Sequence, residues 1–393
     1  MKKMLILNGS HSELSLIEEA HKLGYYVITT GNNPDLPGHK EADEYVEIDY
    51  SDYQAVLEVF ENEKIESVIS CANDFGAITA SYIAEKLGLS GHDSFDTTCL
   101  LHQKDRFKEF ALKNGLKVAN SVTYSNEKEA IHAAESIKYP LIIKPVDLTG
   151  GKGVSKVENV EEYVKAVKEA FKRSRKKVIV VEDYIVGSYH SFSTFLVDKK
   201  VVAYFSDNEY SYLNPYFVAT SAGPADYVSE VRDTLVEQAE KIANLLNLVN
   251  GVFHMQYVMD ANKVPYIMDI TRRCSGDLYP EPVEHATGVP WSKWIIMAES
   301  GYANEVFVER GKQNKYCGRH CIMSSRNGKV KSVHISDEIK DNIYKEVVWG
   351  GEGTLINDYM VEKLGVVFYE FVNREEMLDK VERINELISV EME

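Results

Sequence analysis

Residues 139–155 are YPLIIKPVDLTGGKGVS, an apolar strand that ends in a lysine and is followed by a glycine-rich loop. Lys144 interrupts the apolar run, and burying its charge without an anionic partner would be costly. The loop that follows contains Gly150, Gly151, Lys152 and Gly153. Glycines let backbone N–H groups turn toward an anion without a Cβ in the way. The stretch therefore predicts a strand and loop that hold phosphate.

Three other segments place charged or polar side chains in similar positions. Lys104 lies in LLHQKDRFKEFALKNG, and Glu182 ends the apolar run VIVV. The third of these segments, GVFHMQYVMD followed some residues later by PYIMDITRRCSGD, contributes Gln256, Asp269, Thr271 and Arg273. Carboxylate and amide oxygens suit Mg²⁺, and arginine offers a planar fork to a phosphate or carboxylate. Each residue alone is more simply a strand end at the surface, but their order favours a nucleoside triphosphate and its metal.

The first ninety residues alternate between strands and helices. Apolar runs at residues 4–7, 26–29, 45–48 and 67–70 are separated by helical periodicity, and Ser10 with Glu13 forms a capping-box signature. This alternation predicts an open parallel sheet. A dinucleotide-binding oxidoreductase is the rival interpretation. The turn after the first strand, NGSH, lacks the G-x-G-x-x-G pattern, so we do not expect NAD.

The pattern changes after this region. A helical stretch is predicted from residue 97 to 113, then strands and helices mix, and a terminal helix is predicted from Arg374. The predicted fold class is α/β and α+β, with an N-terminal parallel-sheet domain, a two-lobed central domain and a small C-terminal α+β domain. The predicted boundaries are 1–96, 97–302 and 303–393, with lobes 97–186 and 187–302 and a lid loop at 148–155.

Composition and charge argue against several classes of protein. The 393 residues are 44% hydrophobic and 27% charged, and no apolar run approaches the roughly 18 residues of a membrane span. A formal net charge of −17 is unlike the basic surfaces that bind nucleic acid. Five cysteines in so long a chain form no disulfide framework. We therefore expect a cytoplasmic protein with no membrane and no nucleic-acid partner.

Two of the cysteines lie close to a histidine, in the order Cys317, His320 and Cys321. A metal site is one interpretation of this group. The spacing is not that of a zinc knuckle and no second pair occurs, so sulfurs on a strand are the favoured interpretation.

In order, the four segments resemble the ATP-grasp superfamily of carboxylate–amine ligases, of the biotin carboxylase, carbamoyl-phosphate synthetase and phosphoribosylglycinamide synthetase type. The likeness covers nearly the whole chain, with residues 1–96 similar to the pre-ATP-grasp (Rossmann-like) domain and 97–302 similar to the two-lobed grasp. The resemblance implies ATP and Mg²⁺ (or Mn²⁺) as cofactors and small-molecule carboxylate and amine substrates. It leaves room for a homodimer.

The resemblance also implies roles for individual residues. The ATP-binding residues it implies are Lys104, Lys144, Gly150, Gly151, Lys152, Gly153, Glu182, Asp183, Ile185, His190, Val258 and Met268. The metal ligands it implies are Gln256, Asp269 and Thr271. The catalytic residues are Asp269 and Arg273, of which Arg273 would hold the transferred phosphoryl group.

The chain departs from the family pattern at several of these positions. The usual Glu-x-Asn-x-Arg is replaced by Asp269-Ile270-Thr271-Arg272-Arg273, which bears on whether one or two metal ions bind. Gln256 stands where glutamate is commoner. Tyr189 stands where a ribose-binding glutamate is expected, and we assign that role to His190.

The implied reaction activates a carboxylate as an acyl phosphate, joins it to an amine or a thiol, and releases ADP and phosphate. A purine-pathway enzyme similar to phosphoribosylglycinamide synthetase and a non-catalytic ATP sensor stay open as alternatives. For the second substrate we predict loops that follow parallel strands, and a residue beyond the metal motif. These candidates are Ser10, His11, Asn73, Asp74 and Arg272. The alternative location is the C-terminal domain around Arg319 and His320.

Overall fold

The computed structural model describes residues 2–148, 151–304, 307 and 311–393, which form two compact units. Unit 1 consists of Met1–Phe95, Ser191–His254 and Thr271–Glu393, and unit 2 of Asp96–His190 and Met255–Ile270. The domain boundaries inferred from the sequence remain predictions. Within the described part of the chain, no helix combines the length and apolar character needed to cross a membrane.

Strands and helices both occur from the first to the last part of the chain that the structure describes. The strands are β1 (Lys2–Leu7), β2 (Tyr25–Gly31), β3 (Glu44–Glu47), β4 (Ser67–Ile69), β5 (Ser121–Tyr124), β6 (Leu141–Pro145), β7 (Ser155–Val157), β8 (Ile179–Asp183), β9 (Gly187–Val197), β10 (Lys200–Tyr210), β11 (Thr220–Gly223), β12 (Gly251–Asp260), β13 (Pro265–Thr271), β14 (Tyr316–Ile322), β15 (Gly328–Ile335), β16 (Ile343–Val348), β17 (Leu355–Ile356), β18 (Gly365–Phe371) and β19 (Ile388–Met392). The α-helices are α1 (Leu14–Lys22), α2 (Pro37–Glu41), α3 (Tyr53–Asn62), α4 (Asp74–Leu87), α5 (Phe95–His102), α6 (Lys104–Lys113), α7 (Glu127–His132), α8 (Val160–Arg173), α9 (Val228–Leu245), α10 (Pro280–Thr287), α11 (Trp291–Glu299), α12 (Asp337–Lys340), α13 (Arg374–Glu382) and α14 (Ile384–Leu387). Two 3₁₀ helices lie at His11–Glu13 and Ala133–Glu135. The predicted mixed α/β fold class is confirmed.

The N-terminal part of unit 1 is a parallel four-stranded sheet in the order β3-β2-β1-β4. The first turn after β1 is set by the predicted capping box, in which the Glu13 carboxylate accepts the N–H of Ser10 at 2.7 Å. Helix α1 then buries Leu16, Ile17 and Ala20. The polar turns after β1 and β4 therefore lie at the carboxyl ends of parallel strands, where open α/β sheets bind ligands.

The remaining sheets contain antiparallel pairs. In unit 2 the order is β5-β8-β6-β7, and the apolar face of α8, including Tyr163 and Val167, packs into the same core as Leu141 and Ile179. An eight-stranded sheet has the order β13-β12-β9-β10-β11-β14-β18-β16. A three-stranded sheet has the order β17-β15-β19. This architecture places the polar residues of β8, β12 and β13 on regular strands.

Two predicted helices differ from the structure. The stretch 97–113 is divided into α5 and α6 at Gln103, whose backbone is extended (φ −101°, ψ 114°). A continuous helix would turn Leu101 and Phe107 to different sides, whereas the break lets both be buried. The predicted terminal helix ends at α14, because the last residues form β19 and pair with β15. Such pairing with a distant strand overrides local helical periodicity.

A buried glutamate holds the carboxyl end of β4. Glu299 of α11 accepts hydrogen bonds from the backbone nitrogen and the hydroxyl of Ser70, at 2.6 and 2.7 Å. Burial raises the pKa of Glu299 to about 7, although the bonds from Ser70 and the charge of Arg272 act in the opposite direction. The folded protein therefore keeps a proton on Glu299 between pH 4.5 and pH 7, where the unfolded chain has lost it.

This difference predicts how stability depends on pH. The contribution of Glu299 is fully present below pH 4.5 and falls as the pH rises to about 7, by about 3 kcal/mol in total. Glu299→Gln should remove this fall, so the variant should gain stability relative to wild type between pH 5 and pH 8 in urea unfolding. Glu346→Gln, at an exposed glutamate of the same unit, is the control. Parallel pH profiles for Glu299→Gln and wild type would contradict the assignment.

Candidate active site

In unit 2, Glu182 lies between two lysines. Lys144 Nζ is 2.7 Å from Oε1 of Glu182, and Lys108 Nζ is 3.5 Å from Oε2. The Glu182 side chain is 8% exposed and that of Lys108 is 2% exposed. Burial acts to raise the pKa of Glu182, but the two ammonium groups lower it below its ordinary value. Glu182 is therefore held as a buried carboxylate that can accept a hydrogen bond from a ligand.

Lys108 was not identified from the sequence. It lies on α6 beside Phe107 and Ala111, which are buried, and its Nζ also donates to the carbonyl of Ile267 at 3.4 Å. Burial lowers the pKa of Lys108, and the charge of Glu182 opposes this shift. The signal that could have indicated it is a cation among the apolar positions of an amphipathic helix.

The predicted phosphate loop follows β6. Lys104 Nζ donates to the carbonyl of Leu148, the first residue of the predicted lid loop, at 3.0 Å. Gly150 lies outside the described residues. Gly151 and Gly153 have φ of +72° and +75°, which only glycine adopts without strain, and Lys152 between them is exposed. The described part of the loop thus has the backbone freedom and the cation that an anion site needs.

Lys144 can be tested as a phosphate ligand. Lys144→Ala removes one charged contact, so we expect ATP affinity to fall by about 1–3 kcal/mol, which is roughly 5- to 150-fold. Isothermal titration with a nonhydrolysable ATP analogue measures this change directly. Lys165→Ala, at an exposed lysine of α8, is the matched control and should bind like wild type. Equal affinity of Lys144→Ala and wild type would refute the role of this lysine.

The predicted adenine-binding segment follows Glu182. Asp183 is exposed and accepts a hydrogen bond from Asn120 Nδ2 at 2.8 Å, and its backbone nitrogen donates to Asn120 O. Ile185 is half-buried and lies between β8 and β9. The connection is therefore fixed at Asp183 by Asn120, the residue directly before β5.

Three further residues that were predicted to bind the nucleotide lie on strands β9, β12 and β13. His190 is almost fully buried, with Nε2 2.5 Å from Ser188 Oγ and its ring stacked on Tyr257 at 5.2 Å. Val258 is buried on β12, and Met268 is half-buried on β13. A role for His190 at the ribose remains a prediction, since its ring is packed among aromatic and hydroxyl groups.

The predicted metal ligands lie on neighbouring strands. Asp269 and Thr271 are two residues apart on β13, so their side chains face the same way, and Gln256 is on the adjacent β12. The Thr271 hydroxyl is buried and makes no hydrogen bond within the described residues, which is unusual in a folded protein. One carboxylate with neutral oxygens suits Mg²⁺, which takes its other ligands from water and substrate phosphates. These residues therefore fit a magnesium ion that binds with a nucleotide.

In unit 1, Arg273 is oriented by a carboxylate. Its Nε donates to Asp74 Oδ1 at 2.8 Å, and its Nη1 donates to the carbonyl of Cys274 at 2.9 Å. The two side chains are 15% and 12% exposed. Asn73 caps α4 by accepting the N–H of Phe75 at 3.0 Å, so that Asp74 begins the helix. The pair presents a guanidinium in a fixed orientation.

Arg272 makes a different set of contacts. Its guanidinium donates to Asp93 at 2.8 Å and to the carbonyls of Val249 and Val252, and its side chain is 6% exposed. These bonds tie the end of β13 to the start of β12. A substrate role for Arg272 remains a prediction, whereas its structural contacts are extensive.

The two substrate candidates of the first turn, Ser10 and His11, make different contacts. Ser10 caps the first helical turn. His11 instead contacts Asp277 at 3.2 Å and stacks on Trp349, with ring centroids 4.2 Å apart. Neither of these partners was identified from the sequence, because they are far away along the chain.

The cysteine group lies on β14, as the favoured interpretation predicted. His320 Nδ1 is 2.7 Å from the hydroxyl of Thr220, and Cys317 Sγ contacts the carbonyl of Pro282. In the described ranges there is no group of three or more His, Cys, Asp or Glu residues that could hold a metal ion. The contacts of this group are thus those of a packed strand.

The comparison with known families decides the classification. The family model described as carbamoyl-phosphate synthase L chain, ATP binding domain, matches residues 103–305, more than half of the chain. The chain belongs to this family. The ATP-grasp resemblance is thereby confirmed, and the matched range contains the lysines, Glu182 and the β13 motif described above.

The chain is also similar to individual proteins and solved structures. The chain is 28% identical over 320 residues to the carbamoyl phosphate synthase large chain of Clostridium acetobutylicum, covering 74% of this chain and 28% of that protein. The L-amino acid ligase of Bacillus licheniformis has a TM-score of 0.84 at 19% identity, over 100% of this chain and 99% of that one. The biotin carboxylase domain dimer of the Hydrogenobacter thermophilus 2-oxoglutarate carboxylase, in complex with MgADP and bicarbonate, has a TM-score of 0.80 at 19% identity, over 99% and 90%. These two structures establish the fold alone. The chain spans between 28% and 49% of the length of the curated relatives it matches.

Proposed function

We propose that this ATP-grasp chain is an ATP-dependent ligase that joins a carboxylate to an amine, or to a thiol, through an acyl phosphate. The observation that carries the proposal is the end of β13. There Asp269, Thr271 with its buried hydroxyl, and Arg273 follow one another at alternate positions, and Asp74 orients Arg273. Family membership supports ATP as the source of energy.

The nucleotide would be held by residues of unit 2. Lys104, Lys144 and the loop around Lys152 provide the positive charge that the phosphates need in a protein with a net charge of −17. Glu182 is kept ionised by Lys108 and Lys144, so it can accept a hydrogen bond from the adenine amino group. This arrangement favours adenine over guanine, which has a carbonyl at that position.

Gln256, Asp269 and Thr271 would hold the magnesium ion. When bound, such an ion neutralises phosphate charge and orients the transferred phosphoryl group.

The reaction that we propose has two steps. A carboxylate oxygen attacks the γ-phosphorus and the bond from phosphorus to ADP breaks, which gives an acyl phosphate. The amine nitrogen then attacks the acyl carbon, phosphate leaves with the electron pair of the broken C–O bond, and the nitrogen loses a proton. Arg273 can hold the oxygens of the phosphoryl group in both steps, and Asp74 keeps its fork in place. No protein nucleophile is required.

Phosphate release tests the proposal. The protein is incubated with ATP, Mg²⁺ and mixed amino acids, and ADP, AMP and phosphate are quantified. Release of ADP and phosphate only when both a carboxylate and an amine are present supports ligation. Tight ATP binding without turnover would instead support the sensor. Turnover only with glycine and phosphoribosylamine would support the purine-pathway alternative.

The assembly and the location of the protein are tested separately. A homodimer remains a prediction, and light scattering distinguishes a mass of 44.5 kDa from twice that value. The cytoplasmic location also remains a prediction, which fractionation of the source cells can test.

A further inference from the structure

Unit 1 contains a cluster of charged side chains around one carboxylate. Asp277 Oδ1 accepts a hydrogen bond from Lys363 Nζ and lies 3.2 Å from His11 Nε2, while Oδ2 lies 3.4 Å from Arg319 Nη1. His11, Asp277, Arg319 and Lys363 are called the Asp277 centre below. The centre joins the first turn of the N-terminal sheet to β14 and to the segment before β18.

The Asp277 centre is buried and has unused hydrogen-bonding capacity. Its lysine and arginine side chains are 13% and 7% exposed. Arg319 Nε is buried and has no hydrogen-bond partner within the part of the chain that the structure describes. The Asp277 carboxylate receives the long contact from Arg319 at Oδ2 and is also hydrogen-bonded to the Cys321 thiol. A buried guanidinium N–H thus has no partner beside a carboxylate that is held by cations.

The charges around the centre also indicate a ligand. The side chains of Lys363 and Arg319 face Asp277, and Asp207 is a second acid near Arg319. Burial raises the pKa of Asp207, although hydrogen bonds from Ser191 and Tyr279 act against this shift. Burial also acts to raise the pKa of Asp277, but Lys363 and Arg319 hold it well below its ordinary value. The centre therefore keeps its own carboxylate ionised while its cations are only partly neutralised.

The backbone at Asp277 is strained. Asp277 and Leu278 have φ of +58° and +54°, two consecutive non-glycine residues in the left-handed region. The N–H of Asp277 donates to the hydroxyl of Ser12 at 2.9 Å, which holds this conformation. Strained backbone of this kind is concentrated at functional sites.

An apolar cavity adjoins the centre. Lys363 Nζ lies 4.7 Å above the ring of Phe217, and Arg319 Nη1 contacts Cys321 Sγ at 3.4 Å. Phe217 and Cys321 both line a cavity of about 330 Å³, whose other walls include Tyr212, Met323, Tyr359 and Ile388. A cavity of this size and character suits an apolar side chain. On the other side of His11, the ring of Trp349 is 40% exposed.

We propose that the Asp277 centre binds the amine substrate, and that this substrate is an α-amino acid with an apolar side chain. Its carboxylate binds Arg319 and Lys363, its ammonium group binds Asp277, and its side chain enters the cavity beside Phe217. The assignment rests on the proposed ligase function, because it names the class of amine that the reaction consumes. A zwitterion matches the adjacent cation and anion of the centre, whereas a simple amine or carboxylate matches only one of them.

Binding without catalysis tests this assignment. L-phenylalanine, its methyl ester and its N-acetyl derivative are titrated into the full chain, both without nucleotide and with a nonhydrolysable ATP analogue and Mg²⁺. We expect L-phenylalanine to bind at least tenfold more tightly than either derivative. Lys363→Met should weaken binding at least tenfold, and Arg319→Lys should weaken it because the guanidinium fork is lost. Lys331→Met, at an exposed lysine of the same unit, should bind like wild type.

The outcomes separate this proposal from the proposed function. Binding of L-phenylalanine without ATP turnover would support the site and refute the ligase. If the protein ligates amino acids and Lys363→Met does not change the rate of that ligation, the ligase function is supported and the site is refuted. The proposal would be overturned if folded protein, as judged by its unfolding temperature, did not bind L-phenylalanine either with or without the ATP analogue. It would also be overturned if the methyl ester and the N-acetyl derivative bound as tightly as L-phenylalanine.

Discussion

Replacement of Arg273 by lysine is expected to lower kcat by about 10²- to 10³-fold, the loss seen when one donor to a developing negative charge is removed. Lysine keeps the positive charge beside Asp74 but loses the planar fork that holds two oxygens at once. ATP affinity should change far less than kcat, because the nucleotide contacts that we propose lie on other residues. Single-turnover kinetics with saturating ATP measures the effect.

The neighbouring arginine is the matched control. Arg272→Lys should lower the unfolding temperature through lost bonds to Asp93 and the carbonyls of Val249 and Val252, with a smaller change in kcat. The prediction from sequence that Arg272 contacts substrate gives a different result, namely a raised KM. Near wild-type kcat in Arg273→Lys would refute the role of Arg273 at the phosphoryl group.

Asp269→Asn is the second variant with a large expected effect. The change keeps the size of the side chain and removes the carboxylate charge from the proposed metal site, so turnover should fall by about 10²- to 10³-fold. The loss should be largest at low magnesium concentration and partly recovered at high concentration. Stability should change little, because the Asp269 side chain accepts a hydrogen bond from the N–H of the adjacent Ile270, which the amide oxygen of asparagine can also accept.

Glu161→Gln provides the comparison for loss of charge alone. It removes one exposed carboxylate from α8 of the same unit, so its magnesium dependence should match that of wild type. Unchanged turnover of Asp269→Asn at low magnesium would contradict the metal site.

Local patterns in the sequence were sufficient for much of the fold. The strands β1 and β6 are short apolar runs ended by polar residues, and the first helical turn carries its capping signal within four residues. Where a distant partner decides the conformation, the local pattern was misleading. The last residues form a strand because β15 is beside them, and α5 and α6 separate so that residues on two sides can be buried.

The candidate site shows the same division. Lys144 and Glu182 could be identified because each ends or interrupts an apolar strand. Lys108 could not be identified in this way, because its role depends on Glu182. That residue lies 74 positions later in the sequence and contacts Lys108 only in the folded protein. The contact of His11 with Asp277 spans 266 positions. A single sequence contains no local signal for pairs of this kind.

The central claim is that a substrate carboxylate becomes an acyl phosphate. Once a substrate pair has been found, the carboxylate substrate is prepared with ¹⁸O in both oxygens, and the phosphate released during turnover is analysed by mass spectrometry. The account predicts one ¹⁸O atom in each phosphate, with ADP as the other product, because the carboxylate oxygen that attacks phosphorus leaves with it. Phosphate without ¹⁸O, or AMP and pyrophosphate as the products, would contradict the account.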